Sequence, residues 1–166
     1  MTITIRQIQV SDALGFRECL DAVAKERRYL AQVEALPLER VQSFVKDSVT
    51  NDAAQFVAVD QGTVVGWCDI FAHWAYALQH AGGLGMGVLA SHRGVGVGER
   101  LLRETLAKAA ANGITRVTLE ARSDNTRAIK LYERLGFQHE ALKQRALRFD
   151  GLYYDAVQMY LLQCDA

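Results

Sequence analysis

Arg93-Gly94-Val95-Gly96-Val97-Gly98 sets three glycines within five positions, between the apolar run Leu84-Gly85-Met86-Gly87-Val88-Leu89 and an amphipathic stretch from Glu99 to Ala111. Glycine frees the backbone to curl and lets another group approach it closely. At a helix start, such a loop aims several backbone N–H groups at one spot, where the helix dipole also favours negative charge. The chemistry this spacing spells is a phosphate cradle, suited to the pyrophosphate of a nucleotide-containing cofactor.

More than one loop type has that form. A P-loop requires G-x-x-x-x-G-K-[ST], and no lysine follows these glycines. A dinucleotide-binding loop of the Rossmann type would open correctly at Gly94-x-Gly96, with Glu120 about twenty residues on as the ribose-binding acid. Its third glycine, however, falls on Glu99, and two helices and a hairpin precede the loop. The glycines also fit a tight strand-to-helix turn with no ligand. Cys19, Cys68 and Cys164 are scattered, odd in number and without metal-ligand spacing, which predicts reduced thiols, a cytoplasmic protein and no metal site.

The elements that must position this loop alternate between strand and helix. Ile3, Ile5 and Ile8 predict a first strand, and Ser11 and Asp12 can cap a helix running to Tyr29. A second helix is predicted from Leu38, with Val41, Phe44, Val45 and Val49 on one face. Gln55 to Val59 and Thr63 to Phe71 read as a hairpin turning at Asp60-Gln61-Gly62. Ala72 to Gly83 reads as a loop before a third long strand, Leu84 to Leu89. The helix after the glycine loop stops at Asn112-Gly113. Ile114 to Glu120 is a further strand, and Asp124-Asn125 opens a short helix stopped by Gly136. Two last strands, Gln138 to Phe149 and Leu152 to Leu162, turn at Asp150-Gly151.

The 166 residues are enough for one domain with its own core, and half of them are hydrophobic. Nineteen basic residues balance nineteen acidic ones, which argues against a nucleic-acid partner. No apolar run approaches a membrane span, and the start lacks the layout of a signal peptide.

Read as Arg93-x-x-Gly96-x-Gly98, the loop resembles the acetyl-CoA-binding motif of the GCN5-related N-acetyltransferase (GNAT) superfamily. Downstream, Asn125-Thr126-Arg127-Ala128-Ile129-Lys130-Leu131-Tyr132-Glu133-Arg134-Leu135-Gly136-Phe137 resembles the family's N-x-x-A-x-x-L-Y-x-x-x-G-F, in register with the loop. Val65-Gly66 resembles the family's frequent V-G. The resemblance spans residues 3 to 162. It departs at Ala90-Ser91-His92, where many members carry proline.

The resemblance implies an α+β GNAT fold: a mixed, mostly antiparallel sheet of six or seven strands, splayed at its centre, with about four helices, in one N-acetyltransferase domain over residues 1–166. It implies acetyl-CoA as acyl donor. Backbone groups of Met86, Gly87 and Val88 would bind the pantetheine arm, and the Val88 N–H would polarise the thioester carbonyl. N–H groups of Gly94, Val95, Gly96, Val97, Gly98 and Glu99 would take the pyrophosphate, with Arg93 adding charge. Asn125 would hold the cofactor arm, or serve only as a helix cap. Tyr132 would be the general acid for the departing thiolate, or a buried structural tyrosine. For the base, Glu26 ranks ahead of Asp69 and Glu120, although each carboxylate also reads as solvated or salt-bridged. His73 and Trp74 would shape the acceptor pocket or pack in the core.

The expected acceptor is the primary amine of a small molecule or amino acid; "LKQRALRFDGLYYDAVQMY" (Leu142–Tyr160) resembles bacterial members acting on amino acids, herbicide-like amino-acid analogues or ribosomal protein N-termini. A protein N-terminus or lysine, and a non-catalytic acyl-CoA-binding module, are the other readings. A homodimer through the terminal strands is compatible with all three.

Overall fold

The computed structural model of the protein describes residues 2–164. Met1, Asp165 and Ala166, the ends of the expected domain, lie outside the described residues. Seven strands form one sheet in the order β1-β2-β3-β4-β5-β7-β6. They are β1 (Thr4–Gln7), β2 (Ala54–Asp60), β3 (Thr63–Ala72), β4 (Ala81–Val88), β5 (Arg116–Arg122), β6 (Gln138–Phe149) and β7 (Leu152–Leu162). Only β4 and β5 run parallel. The α-helices are α1 (Ala13–Lys25), α2 (Leu38–Thr50), α3 (Val97–Ala111) and α4 (Thr126–Arg134).

Turn chemistry sets the register. Gln61 and Gly62, at φ 48° and 82°, close β2 onto β3, and Asp150 and Gly151, at 50° and 84°, close β6 onto β7. Positive φ at both central residues gives the turn whose twist matches a hairpin. Helices α3 and α4 cover one face of the sheet, where Leu101, Leu102, Val117 and Met159 are fully buried. Helices α1 and α2 cover the other, packing Phe16, Val23 and Val45 against Val57 and Trp67. Each such aliphatic side chain contributes about 2 kcal/mol by leaving water.

The central feature is an interruption. β4 pairs with β5 only over Ala81–Gly83 against Arg116–Thr118. Beyond that, Leu84–Val88 parts from β5, while β5 stays paired with β7 along its whole length. The sheet opens as a V whose apex is Gly83.

Three expectations need correction. Helix α1 stops at Lys25, not Tyr29, because the chain turns at Arg27 with φ 54°. Asp12 does not cap α1; its carboxylate takes the Arg6 guanidinium at 2.6 and 2.8 Å and the Gln9 N–H at 2.8 Å. Trp74 enters no core, being 93% exposed in the loop between β3 and β4. Among the described residues, no helix is long and apolar enough to cross a membrane.

Candidate active site

The V holds a cleft of about 650 Å³ that passes through the sheet. Gly98, Leu131 and Tyr132 line it from the α3–α4 face, and Val23, Tyr29 and Leu30 from the α1–α2 face.

At its mouth, Gly94 and Gly96 adopt φ +80° and +85°, and Gly96 is the residue that starts α3. The first intrahelical bond there runs from the Arg100 N–H to the Gly96 carbonyl. The N–H groups of Val97, Gly98 and Glu99 therefore precede any intrahelical acceptor and face outward at the positive end of the dipole. The Glu99 carboxylate turns to Arg103 at 2.8 Å and Arg134 at 3.4 Å, which keeps it ionised below the usual carboxylate range.

The wall of the cleft follows from strand alternation. Ladder bonds from the Leu89 N–H to the Val65 carbonyl and from the His73 N–H to the Ala81 carbonyl fix the phase of the β3–β4 pair. In an antiparallel pair, hydrogen-bonded and non-bonded positions alternate. Gly83, Gly85 and Gly87 thus exchange bonds with Phe71, Asp69 and Trp67, and Leu84, Met86 and Val88 turn their N–H and C=O groups to the cleft. This corrects the run of three expected from sequence: Gly87 borders the cleft, but its polar backbone belongs to β3. That free edge can accept an extended amide arm as a further strand.

Arg93 does not point at the loop it opens. Its Nε donates to the Val88 carbonyl at 2.8 Å, and its terminal nitrogens bind both Glu26 oxygens at 2.9 and 2.5 Å. Its guanidinium also lies over the Tyr29 ring, 4.7 Å from the centroid. Hydrogen bonding to Glu26, the dominant influence, raises the proton affinity of Arg93. Glu26 is thereby tied to a cation at the cleft rim rather than free inside it.

Asn125 caps α4: its Oδ1 accepts from the Ala128 N–H at 3.4 Å, leaving its amide nitrogen for the cleft it borders. Tyr132 lies seven residues on, two helical turns, 6% exposed and 5.7 Å from the Phe137 ring. Among the described residues its hydroxyl makes no hydrogen bond. Burial pushes its proton affinity well above that of an ordinary phenol.

The other candidates are dispersed. Glu120 borders the cleft but is half exposed and paired with Lys143. Asp69 lies beside Gly85 on the α1–α2 face, its carboxyl pushed up to about 7 by burial. His73 and Trp74 do not line the cleft. Sequence reasoning missed Arg127, whose guanidinium sits over the Cα of Gly94, and Asp124, which borders the cleft while paired with Arg122 at 2.7 Å. Arg127 stands at a variable position of the second motif, and only its place on the first turn of a cleft-lining helix signals it. Among the described residues, no group of three His, Cys, Asp or Glu side chains gathers to hold a metal.

The family model described as the acetyltransferase (GNAT) family matches residues 18–137. An N-alpha-acetyltransferase RimI from Mycobacterium tuberculosis is 44% identical over 66 residues, a match spanning 40% of each chain. The fold is close to that of yncA from Salmonella typhimurium, solved with acetyl-CoA: TM-score 0.92 at 18% identity, covering 100% of this chain and 96% of that one. It is also close to a phosphinothricin acetyltransferase from Sinorhizobium meliloti in complex with acetyl-CoA: TM-score 0.89 at 20% identity, covering 98% and 89%. The chain belongs to the acetyltransferase (GNAT) family, whose acyl donor is acetyl-CoA.

Proposed function

We propose that the chain transfers acetyl from acetyl-CoA to the primary amine of a small molecule or amino acid by direct attack on the thioester. The roof of the acceptor side carries this reading. Residues 26–31 are pinned at their start, by Glu26 to Arg93 and by Arg27 to Asp150 at 2.7 Å. Arg28, Tyr29, Leu30 and Ala31 border the acceptor side of the cleft and half enclose it. A half-enclosed cleft suits a compact acceptor, whereas a polypeptide needs an open groove.

In this reading the N–H groups of residues 94–99 take the pyrophosphate, with Arg127 over the loop. The free edge at Met86 and Val88 pairs with the pantetheine arm, Asn125 adds its amide, and the Val88 N–H faces the thioester oxygen. A neutral amine attacks the carbonyl carbon, the C–S bond breaks, Tyr132 gives its proton to the thiolate, and the surplus proton of the acylated nitrogen leaves to solvent, from which the phenolate regains one. The buried phenol keeps that proton until negative charge develops on sulfur. Glu26 acts here through Arg93, by fixing the end of β4. The cytoplasm, where acetyl-CoA is made and used, is the compartment this reading expects.

The local likeness to RimI favours a protein N-terminus as the second reading. The test is thiol release from acetyl-CoA with a panel of free amino acids and small amines, against peptides bearing the same N-terminal residues. Faster release with free amines is expected; peptides turned over tenfold faster would replace this reading with the second.

A further inference from the structure

From Gly83 onwards, the side of β4 that faces α1 and α2 carries no side chains: Gly83, Gly85 and Gly87 lie opposite Phe71, Asp69 and Trp67. The three glycines differ in what covers them. The Trp67 ring blankets Gly87, nothing lies within 4 Å of a Cβ placed on Gly83, and at Gly85 such a Cβ would meet the Asp69 Oδ1 at 3.0 Å. The bare strand is thus a floor that starts open at Gly83 and ends on one carboxyl group. A recess of about 210 Å³ adjoins its open end, lined by Gly83, Thr118, Glu120 and Gln158.

Beyond the Gly85 backbone amide, Asp69 is bordered largely by aromatic rings. Trp67 and Phe71 flank it on the same face of β3. Phe16 stands 5.8 Å from Trp67, and Phe44 stands 5.3 Å from Phe71 and 6.3 Å from Phe16, completing an aromatic arc around it. Its neighbour on the far strand is Gln55, directly opposite in the β2–β3 register. Gln55 is 0% exposed, and neither its amide oxygen nor its nitrogen has a hydrogen-bond partner among the described residues. Ser48, 5% exposed on the sheet-facing side of α2 with Val41 and Val45, has an unpartnered hydroxyl too. Buried polar groups without partners are rare, and water or a ligand commonly satisfies them.

Resting on the acetyltransferase reading above, we propose that Asp69 is the base that takes a proton from the acceptor ammonium, with Gln55 as its positioning residue. The acceptor nitrogen reaches it across the bare face of Gly83 and Gly85. The step is one proton transfer: the N–H bond of the ammonium breaks, an O–H bond forms on Asp69, and the freed lone pair attacks the thioester. Only about one in 2,500 amines with a lysine-like proton affinity is neutral at pH 7. Through a bridging water, the amide of Gln55 can donate towards the carboxylate and accept from the carboxylic acid, so it serves both states. Burial holds Asp69 near neutrality, where a base is most effective. The groups beside it are Gln55 of β2, opposite in register, the Gly85 backbone amide of β4, which favours the carboxylate, and the adjacent Cys68, a thiol that burial keeps protonated. Across bare β4, Glu120 of β5 is held by Lys143.

The experiment measures acetyl-CoA affinity by calorimetry and the pH dependence of thiol release with the amino-acid panel, for the wild type, Asp69→Asn, Gly85→Ala and Gln55→Leu. Asp69→Asn is expected to keep acetyl-CoA affinity, lose about 10²-fold in kcat/KM and lose the fall in rate on acidification through about pH 7. Gly85→Ala, which presses a methyl against the carboxyl, is expected to slow turnover, and Gln55→Leu to displace the acid limb. Carbon-13 NMR titration of the wild-type carboxyl groups gives a readout independent of variant folding, with Asp69 expected to titrate near neutrality. Wild-type turnover with an unchanged rate and profile in Asp69→Asn, or a wild-type Asp69 that titrates below pH 4.5, overturns the assignment. A wild type that binds acetyl-CoA but acetylates no panel member refutes the small-amine reading itself, and Asp69 as its base.

Discussion

Arg93 spans two ends of the site: one nitrogen fixes the Val88 carbonyl at 2.8 Å, and two others hold Glu26 at 2.9 and 2.5 Å. The residue that opens the glycine loop therefore ties the cleft wall to the acceptor roof. Glu26→Gln breaks the ion pair but keeps the shape. The expected outcome is less than a tenfold loss in kcat, with a larger loss in acceptor KM, as befits a roof anchor. A loss near 10²-fold in kcat alone, with an altered acid limb, would return Glu26 to the role of base.

Tyr132→Phe removes the hydroxyl and leaves the packing against Phe137. Acetyl-CoA affinity should stay within twofold, and kcat should fall about 10²-fold without vanishing, because a thiolate leaves with modest help. Steady-state kinetics beside calorimetry separates the two effects.

Gly94 and Gly96 share a positive φ but differ in surroundings. A Cβ at Gly96 meets nothing within 4 Å, whereas one at Gly94 runs into the Arg127 guanidinium. Gly96→Ala should therefore cost only the left-handed backbone penalty, about 1–2 kcal/mol in stability. Gly94→Ala should add a loss of acetyl-CoA affinity by displacing Arg127. Thermal melts and calorimetry on both variants distinguish strain from lost recognition.

Asp12 bears on stability. Burial alone would raise its proton affinity, but the Arg6 and Gln9 hydrogen bonds outweigh it and hold the carboxyl below its ordinary value. A group depressed on folding contributes stability above its unfolded pKa, about 3.9, and loses that contribution as pH falls through the folded value. Asp12→Asn should thus lower Tm by about 2–8 °C at pH 7, for a loss of about 1–2 kcal/mol. The gap should narrow on acidification below pH 4.

Much of this was legible in the sequence because local rules and tertiary structure agree. The two turns at Gln61-Gly62 and Asp150-Gly151, the helix stops at Gly113 and Gly136, and the cradle at Gly94–Gly98 each contain a glycine at positive φ, which glycine adopts without strain. What sequence missed depends on partners distant in the chain. Glu26 and Arg93 are brought together by a roof with no regular structure, so neither could be assigned from spacing. Gly83, Gly85 and Gly87 read as a permissive strand, but only register reveals that they uncover Asp69. The phase of the β3–β4 ladder, which turns Met86 and Val88 to the cleft and Gly87 away, is likewise invisible without the partner strand.

The most direct measurement is a calorimetric titration of acetyl-CoA into the wild type and Gly96→Asp, with NAD as comparison. One acetyl-CoA per chain is expected for the wild type, with no NAD binding and at least a tenfold weaker affinity in the variant, whose carboxylate would sit in the phosphate cradle. Wild-type binding of NAD in its place, or equal acetyl-CoA affinity in the variant, would contradict a pyrophosphate at the start of α3.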